Sequence, residues 1–281
     1  MKSIPLVALL TDFGTRDGYV GVMKGVMLGI APDVRLVDLT HEIPPQDVWA
    51  GAWVLHTSWR AFPQGTVFLC VVDPGVGTGR RPVALRAGGQ LFVGPDNGLF
   101  SYVLAEAPAE RAVMLDKPLY HLPAPSTTFH GRDIFAPCAA HLARSILLDA
   151  VGTLVTVESL VRLPLPQPEW RDDALVGHVL YVDIYGNLIT DFGPARTDAI
   201  LTMPDMSLRI AGETITERCR TFGEGPQARA FALRDSSGHL AIAMRDGSAA
   251  ALLGAGVGDD VTIVGMAHDV GVGIDAGNSP A

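Results

Sequence analysis

The pattern of the chain changes once, near residue 164, and that change limits the folds open to it. Upstream, short apolar runs alternate with stretches whose apolar residues recur at helical spacing. Leu6–Leu10 reads as a buried strand, and Asp17–Ile30 sets Val20, Met23, Val26, Met27 and Ile30 along one helical face. Val34–Leu39, Val67–Val72 and Leu91–Val93 read as further strands; Asp47–Ala61, Leu99–Ala105 and Ile134–Leu148 read as helices. This alternation predicts an α/β N-terminal domain with a mostly parallel sheet over residues 1–163. The run Leu163-Pro164-Leu165-Pro166-Gln167-Pro168 predicts a stiff linker, placed at 164–173. From 174 to 270 the segments are short and β-like: Leu175–Asp183, Leu188–Thr190, Ala199–Met203, Leu208–Ala211, Arg229–Leu233, Leu240–Met244 and Val261–Val264, with one helix at Ser248–Leu253. A smaller, barrel-like all-β C-terminal domain follows from that pattern. Residues 271–281 are Gly-rich and read as a flexible tail.

Composition narrows the function classes. The chain has 281 residues, 48% of them hydrophobic and 18% charged, so it has apolar material for two cores. Its net charge is −9 and no run of Lys or Arg exceeds two, which argues against a nucleic-acid partner. Cys70, Cys138 and Cys219 are odd in number, far apart and without CxxC spacing; they read as core thiols rather than ligands or a disulfide. The first residues read as a strand rather than a leader, and no apolar run reaches membrane-spanning length. A soluble, cytoplasmic protein with no membrane partner is the expectation.

Chemistry concentrates in three loops. The strand Val67–Val72 ends on Asp73 and opens into Pro74-Gly75-Val76-Gly77-Thr78-Gly79-Arg80. In open α/β sheets reactive groups gather where strands end, because loops there are shaped over a rigid base. Leu10-Thr11-Asp12-Phe13-Gly14 and Thr128-Phe129-His130-Gly131-Arg132-Asp133 have the same character. Their carboxylates, two arginines and a histidine suggest one polar site. The Asp12-Phe13-Gly14 triplet lacks the companions of a kinase metal loop. Gly75-Val76-Gly77-Thr78-Gly79 has neither dinucleotide-fold nor P-loop spacing. A dispersed metal site drawing on Asp12, Asp73, Asp96, His130 and Asp133 stays open.

Five separated stretches, LLTDFGTRDGYVGVMKGV, VVDPGVGTGR, FVGPDNGLF, TFHGRDIFAP and VDIYGNLIT, occur in this order between Leu6 and Met266. Together they resemble the S-adenosyl-L-methionine (SAM) hydroxide adenosyltransferases, or SAM hydrolases, relatives of the SAM-dependent fluorinase and chlorinase. The resemblance implies an N-terminal α/β domain, a C-terminal β domain and a homotrimer with substrate between neighbouring subunits. It implies attack of water or hydroxide on the ribose C5′ of SAM, releasing adenosine and L-methionine, with no cofactor. Some relatives prefer the (R)-sulfonium epimer, and the resemblance extends that expectation to this chain.

The resemblance also assigns residues. The catalytic set falls on Asp73, Arg80 and His130; Arg81 is the neighbouring rival to Arg80, and His130 has the plainer role of capping the helix after it. Asp12 matches the carboxylate that takes the ribose 2′- and 3′-hydroxyls, a fit for an acceptor facing two donors. Gln46 falls where the halogenases carry a tryptophan near the ribose, and Phe129 is expected to line the C5′ region. Asp183 matches the residue that holds the methionine ammonium, Tyr185 an aromatic against adenine, and Asn187 an amide that reads the adenine edge. The alternative for Asp183–Asn187 is an ordinary hairpin turn. Ser236 aligns near the methionine end, with Ser237 adjacent. Asn97 lies in a shared motif whose role can be the turn alone. His41, His56, His121 and His141 have no reactive company in sequence and read as structural or exposed.

Two other functions are compatible with parts of this pattern. In a 5′-halogenase the Asp73 and His130 positions carry tyrosine, and a carboxylate at residue 73 repels a halide. A catalytically silent SAM or adenosine sensor needs the binding residues but not Asp73, Arg80 and His130 together.

Overall fold

The computed structural model describes residues 5–265, and the chain divides after Leu165 into two compact units. The tail expected at 271–281 lies outside the described residues.

The first unit is built on a seven-stranded sheet: β1 (Leu6–Thr11), β2 (Arg35–Thr40), β3 (Val67–Val71), β4 (Pro82–Ala87), β5 (Gln90–Pro95), β6 (Ala109–Met114) and β7 (Thr153–Val155), in the spatial order β2-β1-β3-β5-β4-β6-β7. β2, β1, β3 and β5 pair in parallel, whereas β5-β4, β4-β6 and β6-β7 pair antiparallel. The sheet is therefore mixed, and the parallel half is the half that the βα pattern describes. β4, β6 and β7 escape the sequence reading. β4 and β5 are joined by the glycine turn Gly88-Gly89, too short for a helix between them.

The inner strands β1 and β3 are covered on both faces and are apolar almost throughout, whereas the edge strand β2 is largely exposed and carries Arg35 and Asp38. On one face Val7, Leu9, Leu69 and Val71 pack with Met23 and Met27 of α1 (Tyr19–Ile30) and with Phe135 and Ala139. On the other, Phe68 stacks on Phe92 at 5.2 Å, beside Trp59 at the end of α2 (Val48–Ser58). Asp47 caps α2 by accepting the Ala50 N–H at 2.9 Å. The short α3 (Ser101–Glu106) follows β5. The helix expected over 134–148 is instead a π-turn, Gly131–Phe135, running into α4 (Ala136–Ala143). Pro137 falls at the junction of the π-turn and α4. Ser145, at φ 67°, ends the helix early.

The second unit is all-antiparallel: β8 (Glu169–Arg171), β9 (Ala174–Val182), β10 (Leu188–Thr190), β11 (Ser207–Ile210), β12 (Glu213–Ile215), β13 (Ala230–Arg234), β14 (Leu240–Met244) and β15 (Asp260–Val264). The order is β12-β11-β15-β9-β10-β14-β13, with β8 on β9. Just past β12, the Ala232 N–H donates to the Glu217 carbonyl and the Cys219 N–H to that of Ala232, so the sheet nearly closes on itself. Its inner face carries Val179, Leu188, Phe192, Leu208, Ile242 and Ile263.

Two expectations change here. Residues 169–171, assigned to the linker, form strand β8. Ala199–Met203, read as a strand, belongs to α5 (Pro194–Thr202), which starts with Gly193-Pro194 and turns Thr197 and Ile200 inward. The helix at the end of the unit, α6 (Ala249–Leu253), is capped by Ser248 as its sequence suggests. Cys70 and Cys138 are buried, Cys219 is half-buried, and all three are free thiols. Among the described residues no helix is long and apolar enough to cross a membrane.

Candidate active site

β1 is flanked by β2 and β3, the next two strands in the chain, so the order of the sheet reverses between β1 and β3. Crevices form at such switch points, outside the carboxyl ends of the strands. Thr11 lies opposite Val71 in the parallel pair, so Asp12 and Asp73 leave the sheet at the same edge. His130 reaches this edge from the π-turn, where the Ala136 N–H bonds back to the Gly131 carbonyl. Single π-turns are common where a side chain must be aimed.

Asp73, Arg80 and His130 come together. Arg80 Nε donates to Asp73 Oδ1 at 3.0 Å, and Nη2 bonds Asp73 Oδ2. Nη2 also meets His130 Nδ1 at 3.1 Å. Since a guanidinium has no acceptor, His130 Nδ1 accepts, and the ring proton of neutral His130 sits on Nε2. The Asp73 and Arg80 side chains are only 5% and 6% exposed, and Arg80 Nη1 is buried without a partner. The loop between them is held by Gly77, at φ 77°, whose missing Cβ would stand 2.5 Å from the Thr127 carbonyl oxygen. Arg81 turns elsewhere, to Asp96 at 2.5 Å and to Ser159.

Burial pushes the Asp73 carboxyl above the usual carboxylate range, against the opposing pull of Arg80 and His130. Burial and then the Arg80 guanidinium push the His130 imidazole down, partly offset by Asp73 and Asp133. The shifts keep the His130 imidazole neutral and make the Asp73 carboxylate a stronger base than an ordinary one, and perturbed groups of this kind gather at reactive sites.

A cleft of about 160 Å³ opens beside these groups, lined by Asp73, His130, Phe13, Tyr19 and Phe129 among others. The three aromatic rings pack mutually, with centroids 5.2 to 6.0 Å apart. Phe13 and Tyr19 both stand inside the first motif, although the sequence alone gives neither of them a role. Arg80 is not part of the cleft wall; it holds two residues that are. Asp12 Oδ2 accepts the Gln46 backbone N–H at 2.7 Å, while Oδ1 is buried with no partner. Gln46 thus touches Asp12 through its backbone. Asn97 donates to the Val72 carbonyl at 2.8 Å and accepts the Leu99 N–H, which makes it a brace for the end of β3. Asp96 and Asp133 are engaged by Arg81 and Arg132. Among the described residues no group of three or more His, Cys, Asp or Glu could hold a metal ion.

The second unit has its own cavity, about 630 Å³, lined by Tyr185, Asn187, Phe222, Met244, Arg245, Asp246 and Gly247. Its rim is the Asp183–Asn187 turn. Asp183 Oδ1 accepts the Tyr185 and Asn187 backbone N–H groups at 2.9 Å each, and Oδ2 accepts the Asn187 amide at 2.7 Å. The hairpin-turn reading of this stretch therefore describes what Asp183 does here, and Asp183 does not line the cavity. Tyr185 is 74% exposed, an aromatic offered to a ligand or partner. Ser236 is not brought to this cavity. β14 pairs with β10 so that Met244 runs toward the Asp183–Asn187 turn and Leu240 away from it. Ser236 lies exposed in the hairpin before Leu240, at the far end of β14. Ser237 is spent on that turn, donating to Asp235 at 2.8 Å.

Comparison with known proteins agrees with this geometry. Family models described as the SAM hydroxide adenosyltransferase N-terminal and C-terminal domains match residues 7–152 and 177–262. The chain belongs to the SAM hydroxide adenosyltransferase family. Among its relatives, the (R)-S-adenosyl-L-methionine hydrolase of Salinispora arenicola is 41% identical over 94% of this chain and 99% of its own length. The enzyme of that name from Thermus thermophilus is 42% identical over 88% and 95%. A fluorinase from Nocardia brasiliensis is more distant, at 31% identity over 88% and 92%. A crystal structure of an uncharacterized conserved protein from Thermotoga maritima superposes with a TM-score of 0.85 at 33% identity, covering 92% of this chain and 99% of that one.

Proposed function

We propose that this SAM hydroxide adenosyltransferase hydrolyses S-adenosyl-L-methionine to adenosine and L-methionine. The observation that carries the reading is the Asp73–Arg80–His130 set on one wall of an aromatic-lined cleft.

In this reaction the C5′–S bond breaks with its electron pair going to sulfur, and a bond from water oxygen to C5′ forms. The sulfonium leaves as a neutral thioether, so the leaving group needs no acid. The demand is for one aligned water and few competing ones. Asp73 has unshared lone pairs beyond those Arg80 uses, and it is the acceptor for the proton the water loses. His130, with its proton on Nε2, orients the same water as a donor. Arg80 fixes both groups and brings positive charge to a developing hydroxide, while Asp73 offsets its repulsion with the cationic sulfonium. Phe13, Tyr19 and Phe129 keep bulk water off the carbon.

Asp12 receives the ribose hydroxyls through its unpartnered Oδ1. Tyr185 and Asn187 take adenine in the second cavity; with one amide N–H given to Asp183, Asn187 keeps its carbonyl oxygen and a second N–H for the base edge. Asp183 and Ser236 are assigned to the methionine end by resemblance alone. SAM is substrate and water co-substrate, and no cofactor enters the scheme. The chain acts as a cytoplasmic homotrimer in which a neighbour's C-terminal unit completes each site. In support, α1 presents Tyr19, Val22 and Leu28 at 45–50% exposure, beside Gly21, Gly25 and Gly29 with open space above them. The names of the hydrolase relatives favour the (R)-sulfonium epimer as preferred substrate.

The test is chromatography of purified protein incubated with each SAM epimer, with and without chloride, bromide or fluoride. Equal amounts of adenosine and methionine, unaffected by halide and faster from the (R) epimer, are expected. A 5′-halo-adenosine places the chain with the halogenases; SAM bound but unreacted, for both epimers, makes it a sensor.

A further inference from the structure

A second chain of side chains lies behind the cleft and has no place in the reaction above. His41 is 4% exposed, Thr11 is fully buried, and neither lines the cleft. His41 Nδ1 lies 2.8 Å from Thr11 Oγ1, and His41 Nε2 lies 2.9 Å from Asp38 Oδ1. Lys24 Nζ donates to Asp38 Oδ2 at 2.6 Å, and the Phe13 N–H donates to Thr11 Oγ1 at 3.3 Å.

The direction of every bond in this chain follows from its ends. Lys24 only donates, and hydrogen bonds from Lys24 and His41 outweigh burial in holding the Asp38 carboxyl below its usual range, so Asp38 accepts at both oxygens. The shared proton with Asp38 is then on His41 Nε2, neutral His41 accepts at Nδ1, and the Thr11 hydroxyl donates to it. Thr11 Oγ1 keeps a lone pair for the Phe13 N–H. No polar atom in the run is left over.

The run spans two loops and ties them on either side of Asp12. Beyond the side chains, the Gly14 N–H donates to the His41 carbonyl at 2.7 Å. The Gln46 N–H, donated to Asp12 Oδ2, comes from a residue at φ 66°. A left-handed backbone at a non-glycine residue is held only where its surroundings over-determine it. The turn carrying Asp12 is thus fixed at Thr11, Phe13 and Gly14, and the carboxylate itself is fixed at one oxygen only. The other oxygen is buried and unpaired.

We propose that His41 is a positioning residue for ribose recognition. Through Thr11 it sets the turn that presents Asp12 Oδ1 to a vicinal diol, so His41 acts on the hydroxyls of the substrate without touching them. The inference rests on Asp12 as the ribose acceptor, and the experiment separates the two claims.

Calorimetric titration of the full-length protein with adenosine and with 2′,3′-dideoxyadenosine reads the contact directly. Thr11→Val and His41→Gln are expected to weaken adenosine about tenfold while leaving dideoxyadenosine within about twofold, and Thr11→Ser to restore the parent affinity. His41→Gln serves alone if Thr11→Val does not fold. Equal weakening of both nucleosides reduces His41 to a structural role, and unchanged affinity for both also overturns the proposal. If Asp12→Asn itself fails to separate the two nucleosides, the ribose reading of Asp12 is what has failed. If Asp12→Asn separates them and the Thr11 and His41 variants do not, the positioning role alone is lost.

Discussion

The Arg80 guanidinium lies over the ring of Phe135, 5.3 Å from its centroid, while its edge holds Asp73 and His130. A fully buried aromatic from the π-turn thus supports the cation that organises the site. A buried cation over a ring is worth about 0.5–2 kcal/mol, and trimming a fully buried Phe to Leu adds a transfer and cavity cost of about 1 kcal/mol or more. Phe135→Leu is therefore expected to lower Tm by a few degrees and to reduce kcat more than it changes KM. Steady-state kinetics with a melting curve on the same preparation checks both; a KM effect alone speaks against this support.

Asp73→Asn keeps size and shape but removes the proton acceptor and leaves Arg80 without its counter-charge. A loss of about 10²–10³ in kcat is expected, the scale seen for losing one transition-state group. SAM binding should weaken little, because in the proposed reaction Asp73 serves the water rather than the nucleoside. Parent-rate turnover in this variant removes Asp73 from the mechanism.

The pH profile has a defined sign. His130 is pushed below the ordinary histidine value of about 6.5, so it is neutral at pH 7. Protonation puts an N–H against the Arg80 guanidinium and adds charge beside a cationic sulfonium. Asp73, pushed above the usual carboxylate range, also loses function when protonated. Hence kcat/KM is expected to hold at neutral pH and to fall on the acid side of the ordinary histidine value of about 6.5. A rate that rises toward pH 5 contradicts both assignments.

In the second unit, Asn187 organises the turn and faces the cavity, and the two roles can be separated. Asn187→Asp keeps a side chain of the same shape but places a carboxylate against Asp183. It is expected to raise KM at least about tenfold, by like-charge repulsion and a lost donor. Tyr185→Ala leaves the turn intact, because Tyr185 enters it only through its backbone N–H. It should raise KM without moving Tm, which parallel kinetics and melting would show.

Assembly offers an independent check. Sedimentation equilibrium is expected to give three times the chain mass, and Val22→Glu on the exposed face of α1 to shift it toward monomer with loss of activity. A fully active monomer excludes a site shared between subunits.

Legibility in the sequence followed local physics. Leu6–Thr11 and Val67–Val71 are continuous apolar strands because parallel strands are covered on both faces, and such runs stand out without partners. β4 and β6 carry exposed charged residues such as Arg86, Glu110 and Arg111, so their patterns are weaker. α5 reads as a strand in sequence because Ala199–Met203 taken alone is apolar and short; its helical start lies in Gly193-Pro194, outside that window.

By itself the sequence determined the division into an α/β and a β unit, the strand ends that bear Asp12 and Asp73, and the family. Each of these depends on residues near one another in the chain. Tertiary structure alone decided that Arg80 rather than Arg81 meets His130, fifty positions away, and that Ser236 stands apart from Asn187. It also decided that Thr11, Asp38 and His41 form one run behind Asp12. Those outcomes depend on strand order, register and the turn that aims each loop, and long-range pairing of that kind leaves no periodic trace in the chain.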